Sequence, residues 1–525
     1  MDTSDVGIAN LVAGRLVATQ GGTPGSMNLA KEWIATCFQA HLECRWSTDD
    51  ESPPLPTRVI DVGAPDPGSV VLDLGGSKKG KWLALSHRWP RESGQILTLL
   101  EENFESFKAG IPLASLPATF QDAIKLTRFL GLRYLWIDSL CIIQNSVLDW
   151  ERESAKMPSI YQSAYVTIAA ASTEDSRGGI FVQRAWTQRS MAYSLPLKSG
   201  TLIFDLPLSL GLEDEETNYL NKRAWCFQES RLSRRLLTFD RLQMSYTCLK
   251  HGLLESRIVP EAAAREERNS FLPRLYSASS PFQTRENKAK ALTSTWYQAV
   301  TDYTSRSLSF PQDKLVAIAG MARTVGGFLN CSYHAGLWEV NLPQALLWSP
   351  YEEETFPDPQ HKSTRPAEYR APSWSWASVE SPISNFLCKQ TLGRKTYAEI
   401  VSVVTTLQGP DPYGQVKDGY LTIKAPFIRA KVGIKSLLWP YQPNIVPIDV
   451  PIPGLEKYEE QIKYGHGIFD IEWPRGRTTV SLLRITQAYG LVLTQEKLDG
   501  PYQRIGVVHF VEKVKFLAVS EFRIA

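Results

Sequence analysis

Between residues 80 and 181 the hydrophobic positions switch between an unbroken apolar run and a three- to four-residue period, and the switch repeats. KWLALSHRW reads as a buried strand. LPATFQDAIKLTRFLG reads as an amphipathic helix, with Thr119 or Ser115 as candidate caps and Gly131 as its stop. LRYLWIDSLCIIQ is a second strand, DWERESAKMPSIYQSA a helix with Pro158 inside it, and AYVTIAAAS a third strand. Strands alternating with helices at this spacing predict a parallel sheet with flanking helices, whose ligands sit at the carboxyl ends of the strands. Ser86, His87, Asp138 and Ser139 fall at those ends and are the candidate ligand-binding residues.

The pattern is weaker on either side. Residues 1–28 are rich in Gly, Thr and Ser and predict a mobile arm. AKEWIATCFQAHLEC has one apolar helical face, and PTRVIDVG is a short strand between turn residues. Residues 290–325 predict two helices broken near Pro311, with Asp313 capping the second. From residue 371 short apolar runs separated by Gly, Pro and Asp predict strands, and PSWSWAS would set Trp374 and Trp376 on one face of such a strand. The expected division is an arm at 1–28, an α/β domain at 29–230 with its core at 80–181, a mixed, largely helical region at 231–370 and a β-rich C-terminal lobe at 371–525.

Composition narrows the classes. A chain of 525 residues with 43% apolar and 21% charged residues is long enough for more than one core and has the balance of a folded protein. A formal net charge of +2, without basic runs, gives no field to attract a phosphate backbone, so no nucleic-acid partner is expected. The start is acidic with Arg15 inside its apolar stretch, and no segment is apolar for long enough to span a bilayer; a cytoplasmic protein with no membrane span is expected.

Seven scattered cysteines predict reduced thiols, with no disulfide. Cys37, His41 and Cys44 carry a C-x3-H-x2-C spacing that tempts a zinc reading. Structural zinc takes four ligands from separate elements, and no second Cys/His pair lies near in sequence, so a buried helix face is expected here and no metal site anywhere.

LALSHRW, LPATFQDAIKLTRFLGLRYLWIDSLCIIQNSVLDWERESAKMPSIYQSAYVTIAAAS and GGIF, in this order, resemble the core of the fungal heterokaryon-incompatibility (HET) domain. The resemblance continues through RAWCFQESRLSRRLLTF, WYQAVTDYTSRSLSFPQDKLVAIAGMA, AGLWEVNLPQALLW, APSWSWASV and YQRIGVV. It implies a role in vegetative incompatibility, the allorecognition that ends in programmed cell death, with an allelic or non-allelic incompatibility protein as partner and self-association as a further expectation. It also implies a remote likeness to the Toll/interleukin-receptor fold, some members of which cleave NAD. NAD is then the candidate substrate, and no cofactor is required. Two alternatives stand beside this reading: a non-catalytic interaction and signalling protein, and an accessory enzyme of a fungal secondary-metabolite cluster acting on an apolar small molecule.

Glu153 is the candidate catalytic group. It lies in the stripe Trp150, Glu153, Ser154, Met157, Ile160, Tyr161 and Ala164, on or beside the face that should be buried. In an NAD-cleaving site it could bind the nicotinamide ribose and stabilise positive charge developing there. The alternative is a structural ion pair with Arg128 or Arg133. His87 is a candidate acid or base, but sequence shows no second base near it.

Overall fold

The computed structural model describes residues 17–45, 52–90, 96–184, 190–197, 200–207, 218–258, 271–280, 282–350, 363–432, 445–449, 465–470, 479–495, 497, 499–510, 516 and 518–525. The chain divides into two compact units, Met1–Pro273 and Arg274–Ala525.

The first unit is built on a ten-stranded sheet. Its strands are β1 (Arg58–Asp61), β2 (Ser69–Leu74), β3 (Trp82–Ser86), β4 (Ile111–Pro112), β5 (Tyr134–Trp136) and β6 (Val166–Ala170), followed by β9 (Arg235–Phe239), β10 (Met244–Cys248), β11 (Gly252–Leu254) and β12 (Arg257–Ile258). A separate hairpin, β7 (Ser190–Leu197) with β8 (Gly200–Pro207), intervenes in the chain. The spatial order is β12-β11-β10-β9-β6-β3-β5-β1-β2-β4. Its middle, β9-β6-β3-β5, is parallel, and every pair outside it is antiparallel. This is the expected α/β unit with a parallel core, widened by antiparallel edges; the sheet runs past residue 230 because β9 to β12 pair onto it. Trp82, Leu83, Ala84, Leu85, Val166, Ile168 and Leu237 are fully buried, as strands covered on both faces must be.

Several local expectations are corrected. The helix Ala118–Phe129 has Pro117, not Thr119 or Ser115, at its N-cap; the Thr119 hydroxyl instead accepts from the Gly179 amide. Gly131 does end the helix, at φ +73°, a conformation that glycine adopts without strain. The predicted second strand is only three residues long, since the chain turns into the helical segment Asp138–Cys141. The helix expected across Pro158 is two, Val147–Ser154 and Met157–Ser163, because proline is accepted in a first turn but not in an interior. The N-terminal helix starts at Pro24, where the Thr23 hydroxyl accepts from the Ser26 amide. Residues 17–28 are thus not a free arm: the Gly21 amide donates to Val182, and Arg184 donates to the carbonyls of Thr19 and Ala18. Residues 1–16 lie outside the described residues.

In the second unit the long helices Arg285–Thr304 and Val316–Leu329 precede a β-rich part. Asp313 sits in the intervening turn and does not cap the second helix, whose N-cap is Leu315. Trp374 and Trp376 are buried in a turn and a single 3-10 turn, not on a strand. The strands Val416–Val432, Ile445–Asp449, Gly465–Phe469, Tyr502–Phe510, Tyr489–Gln495 and Thr479–Arg484 pair in that order, and the last pairs back onto the first, closing a barrel. Ile428, Phe469, Leu482, Val492 and Val508 fill it. Closure removes the open edges that sheets otherwise expose.

Candidate functional site

Each polar residue of the candidate site is positioned by a strand end or by the helix that covers it. β3 ends at Ser86 and hands the chain to His87; β5 is followed one residue later by Asp138 and Ser139. Because β3 and β5 are parallel neighbours in register from Trp82↔Tyr134 to Ala84↔Trp136, these four residues emerge side by side. The helix Ala224–Leu232 packs over them and brings Cys226 and Glu229. The helix Met157–Ser163 adds Tyr161, whose hydroxyl donates to the Leu85 carbonyl at 3.1 Å.

The geometry is that of a dry polar cluster. His87 Nδ1 lies 3.6 Å from Asp138 Oδ1, and the ring is buried edge-on to Phe120. The other Asp138 oxygen accepts from the Trp89 indole at 2.8 Å, and Oδ1 also accepts from the Ser139 amide at 2.7 Å. Ser86 Oγ, both His87 ring nitrogens, Ser139 Oγ and Glu229 Oε2 are buried without a hydrogen-bond partner. Buried polar atoms are nearly always satisfied, so polar groups gathered this densely at one sheet end make it the candidate site.

Electrostatics acts on Glu229, His87 and Cys226. Burial, and secondarily the Asp138 charge, pushes Glu229 up to about 8; Ser86, Arg223 and Tyr161 oppose the shift. Burial pushes His87 below its usual value, against the pull of Asp138 and with a smaller push from Arg223. Burial also raises the Cys226 thiol, which donates weakly to the His87 carbonyl at 3.8 Å and is not activated as a nucleophile. A buried carboxyl that holds its proton at neutral pH, beside a second carboxyl that is 20% exposed, is an arrangement that can exchange a proton and face a developing cation.

The sequence candidates Ser86, His87, Asp138 and Ser139 are therefore brought together. Glu153 is not part of the cluster. It is buried, and its Oε1 accepts from Lys156 Nζ at 2.9 Å, while the same ammonium donates to Thr57. The expected partners Arg128 and Arg133 are engaged elsewhere, Arg128 with the carbonyls of Val62, Pro67 and Ser69, Arg133 with Asp61. Lys156, three residues further along the chain in the turn between the two helices, is the partner instead. Glu229, which completes the cluster, is not among the sequence candidates; its signal is the spacing of Cys226, Glu229 and Leu232 along one helical stripe.

The Cys37, His41 and Cys44 reading is corrected as well. The helix ends at Ala40, so His41 is its C-cap and Cys44 belongs to the 3-10 turn Leu42–Cys44, not to one helical face. All seven cysteines are free thiols.

A parallel α/β core with a buried acid and imidazole cluster at its strand ends defines an α/β domain with a candidate ligand site at the sheet's carboxyl edge. Residues 82–229 match the family model for "Heterokaryon incompatibility protein (HET)". The match runs from the first residue of β3 to Glu229 and contains every residue of the cluster. No curated protein and no solved structure matched the chain. Among the described residues no helix is long and apolar enough to cross a membrane.

Proposed function

We propose that the protein is a cell-death effector of fungal vegetative incompatibility, engaged by an allelic or non-allelic incompatibility protein, and that its HET domain hydrolyses NAD. Water adds to the ribose carbon as the bond to nicotinamide breaks, giving ADP-ribose, neutral nicotinamide and one proton. Nicotinamide needs no acid to leave, so the chemistry asks for a carboxylate to stabilise the ribosyl cation and a base to take the proton from water. Asp138, the more exposed carboxylate, stabilises the cation. Glu229 takes the proton in its ionised form, which becomes populated as pH rises towards 8, and Ser86 and Ser139 hold the ribose hydroxyls.

The observation that carries this reading is the pairing of Glu229, raised to about 8, with the Asp138 carboxylate at the carboxyl edge of a parallel sheet. It favours these two residues over Glu153, whose charge Lys156 already balances. The test is nicotinamide release from NAD by the purified full chain. Asp138→Asn and Glu229→Gln should each lower turnover by about two to three powers of ten, and Glu153→Gln should retain it. Absence of release from the wild-type protein, under conditions where its expression kills the host, would refute the enzymatic reading and assign killing to partner binding.

A further inference from the structure

Well away from the strand ends that carry the carboxyl cluster, the first unit gathers four soft ligands from elements remote in sequence. Cys37 lies near the end of the helix Pro24–Ala40, His41 is the residue that ends it, Cys44 closes the following 3-10 turn, and Cys248 ends β10. Their ligand atoms all lie within 4.8 Å of one another. His41 Nδ1 is 3.5 Å from Cys248 Sγ and 4.0 Å from Cys44 Sγ. In a tetrahedron with zinc-to-sulfur bonds of about 2.3 Å and zinc-to-nitrogen bonds of about 2.0 Å, neighbouring ligand atoms stand about 3.5 to 3.8 Å apart. The widest separation in the cluster needs to close by no more than about 1 Å to become that tetrahedron.

We propose that Cys37, His41, Cys44 and Cys248 bind one structural zinc ion that pins the N-terminal helix to the sheet. Three thiolates and one imidazole are a closed, four-ligand set with no place for water, which is the signature of a structural and not a catalytic site. The soft sulfur donors and tetrahedral arrangement select zinc over magnesium, calcium or manganese.

The surroundings suit thiolates. The amides of His251 and Lys250 point at Cys248 Sγ, at 3.3 and 3.5 Å, as expected where backbone donors delocalise the charge of a metal-bound sulfur. Three thiolates and zinc carry a net charge of −1. The buried Arg235 guanidinium stands over the Phe38 ring and donates to the Cys44 carbonyl, which puts a balancing positive charge beside the site. The His251 ring packs against His41, with centroids 4.6 Å apart, and fixes the plane of the ligating imidazole.

The same helix is already tied at its other end. Ser26 donates to Glu255 at 2.7 Å, and Glu255 in turn accepts from Arg184 and from the Met244 amide at the start of β10. The zinc would close the second end of this clamp across about two hundred residues of chain. Metal free energy spent on such a long-range crosslink is folding free energy.

The experiment is elemental analysis and cobalt substitution of the purified full chain. One zinc per chain is expected. After exchange, cobalt should give the intense visible absorption of a tetrahedral centre together with thiolate-to-cobalt charge transfer. Cys248→Ser and Cys37→Ser should lose the metal, while Cys331→Ser, outside the cluster, should keep it. The His41→Cys chain keeps a four-ligand set and should also bind zinc, which separates lost ligation from misfolding. Removing zinc with a chelator should lower the melting temperature of the wild type and leave that of Cys248→Ser unchanged. A folded wild-type protein, made with zinc in the medium, that carries less than a tenth of an equivalent and gives no tetrahedral cobalt spectrum would overturn the proposal. A disulfide between any two of the three cysteines in that freshly purified chain would overturn it equally.

Discussion

His87 Nδ1 and Asp138 Oδ1 face each other across 3.6 Å at the ends of two neighbouring parallel strands, yet the imidazole is held below its ordinary pKa. Burial outweighs the attraction of the carboxylate, and Arg223 adds to it. The folded state therefore keeps His87 neutral where the unfolded chain, near pH 6.5, takes up a proton. Stability from this residue is complete above pH 6.5 and is lost as pH falls below it, because the unfolded state then binds more protons. Melting curves from pH 7.5 to 5 should show His87→Gln losing stability less steeply than wild type, by up to about 1.4 kcal/mol per pH unit for one proton. An equal slope for both proteins would show that His87 is protonated in the fold.

Glu229 has the opposite sign. Its folded pKa is raised to about 8 while the unfolded carboxyl ionises near 4.5. Between those values the native state holds a proton that the unfolded state has released, so this contribution to stability is complete below pH 4.5 and declines as pH rises towards 8. Glu229→Gln keeps the shape and never ionises. Its stability relative to wild type should grow from pH 5 to pH 8, measured by urea unfolding at several pH values, even as turnover falls. A variant that is less stable than wild type at pH 8 would contradict a buried, unpaired Glu229.

The strand ends were legible in sequence because the information is local. Apolar runs of the length of KWLALS and LRYLWI, separated by one amphipathic helix, leave a parallel pair as the economical solution, and the first polar residues after each run must then lie together. Glu229 was not legible in the same way: it arrives on a helix about ninety residues after Ser139, and only the sheet brings it over Ser86. Cys248 is harder still. A local C-x3-H-x2-C spacing looks like an incomplete set until the antiparallel return of β10 beside β9 supplies the fourth ligand from two hundred residues away. Short-range pattern gave elements; the partners of buried polar groups are set by long-range pairing, which a single sequence does not display.

The same distinction explains Glu153, whose partner lies three residues on, in the turn after its helix. Glu153 is 2% exposed in its side chain and Lys156 43%, so the two ends of this pair are unequal. Glu153→Gln leaves an ammonium that can turn to water, and should cost about 1 kcal/mol. Lys156→Met strands a carboxylate in the interior and also removes the donor to Thr57; it should cost about 3 to 5 kcal/mol. Chemical denaturation of both variants checks the inequality, and a larger loss from Glu153→Gln would reverse the assignment of which charge is trapped.

The most demanding ion pair lies in the second unit, where both partners are fully buried. Arg504, on the barrel strand Tyr502–Phe510, makes a bidentate pair with Asp470, both bonds at 2.5 Å. It also donates to the carbonyls of Leu346 and Trp348, and its guanidinium stacks on the Trp348 ring at 3.6 Å. Burial raises the Asp470 pKa and lowers that of Arg504, each opposed by the partner's charge. Desolvating two ions costs so much that the pair contributes little net stability, whereas deleting one partner leaves the other unbalanced. Asp470→Asn should therefore destabilise the protein by about 3 to 5 kcal/mol even though the amide can still accept a hydrogen bond. The double replacement Asp470→Leu with Arg504→Met removes both charges at similar volume and should recover most of that loss. A denaturation cycle over the wild type, Asp470→Asn, Arg504→Met and the Leu/Met double variant decides it. If the double variant is as unstable as Asp470→Asn, the pair adds to stability in its own right, through the fixed network that Arg504 makes with Trp348 and Leu346, and replacing it with apolar packing does not suffice.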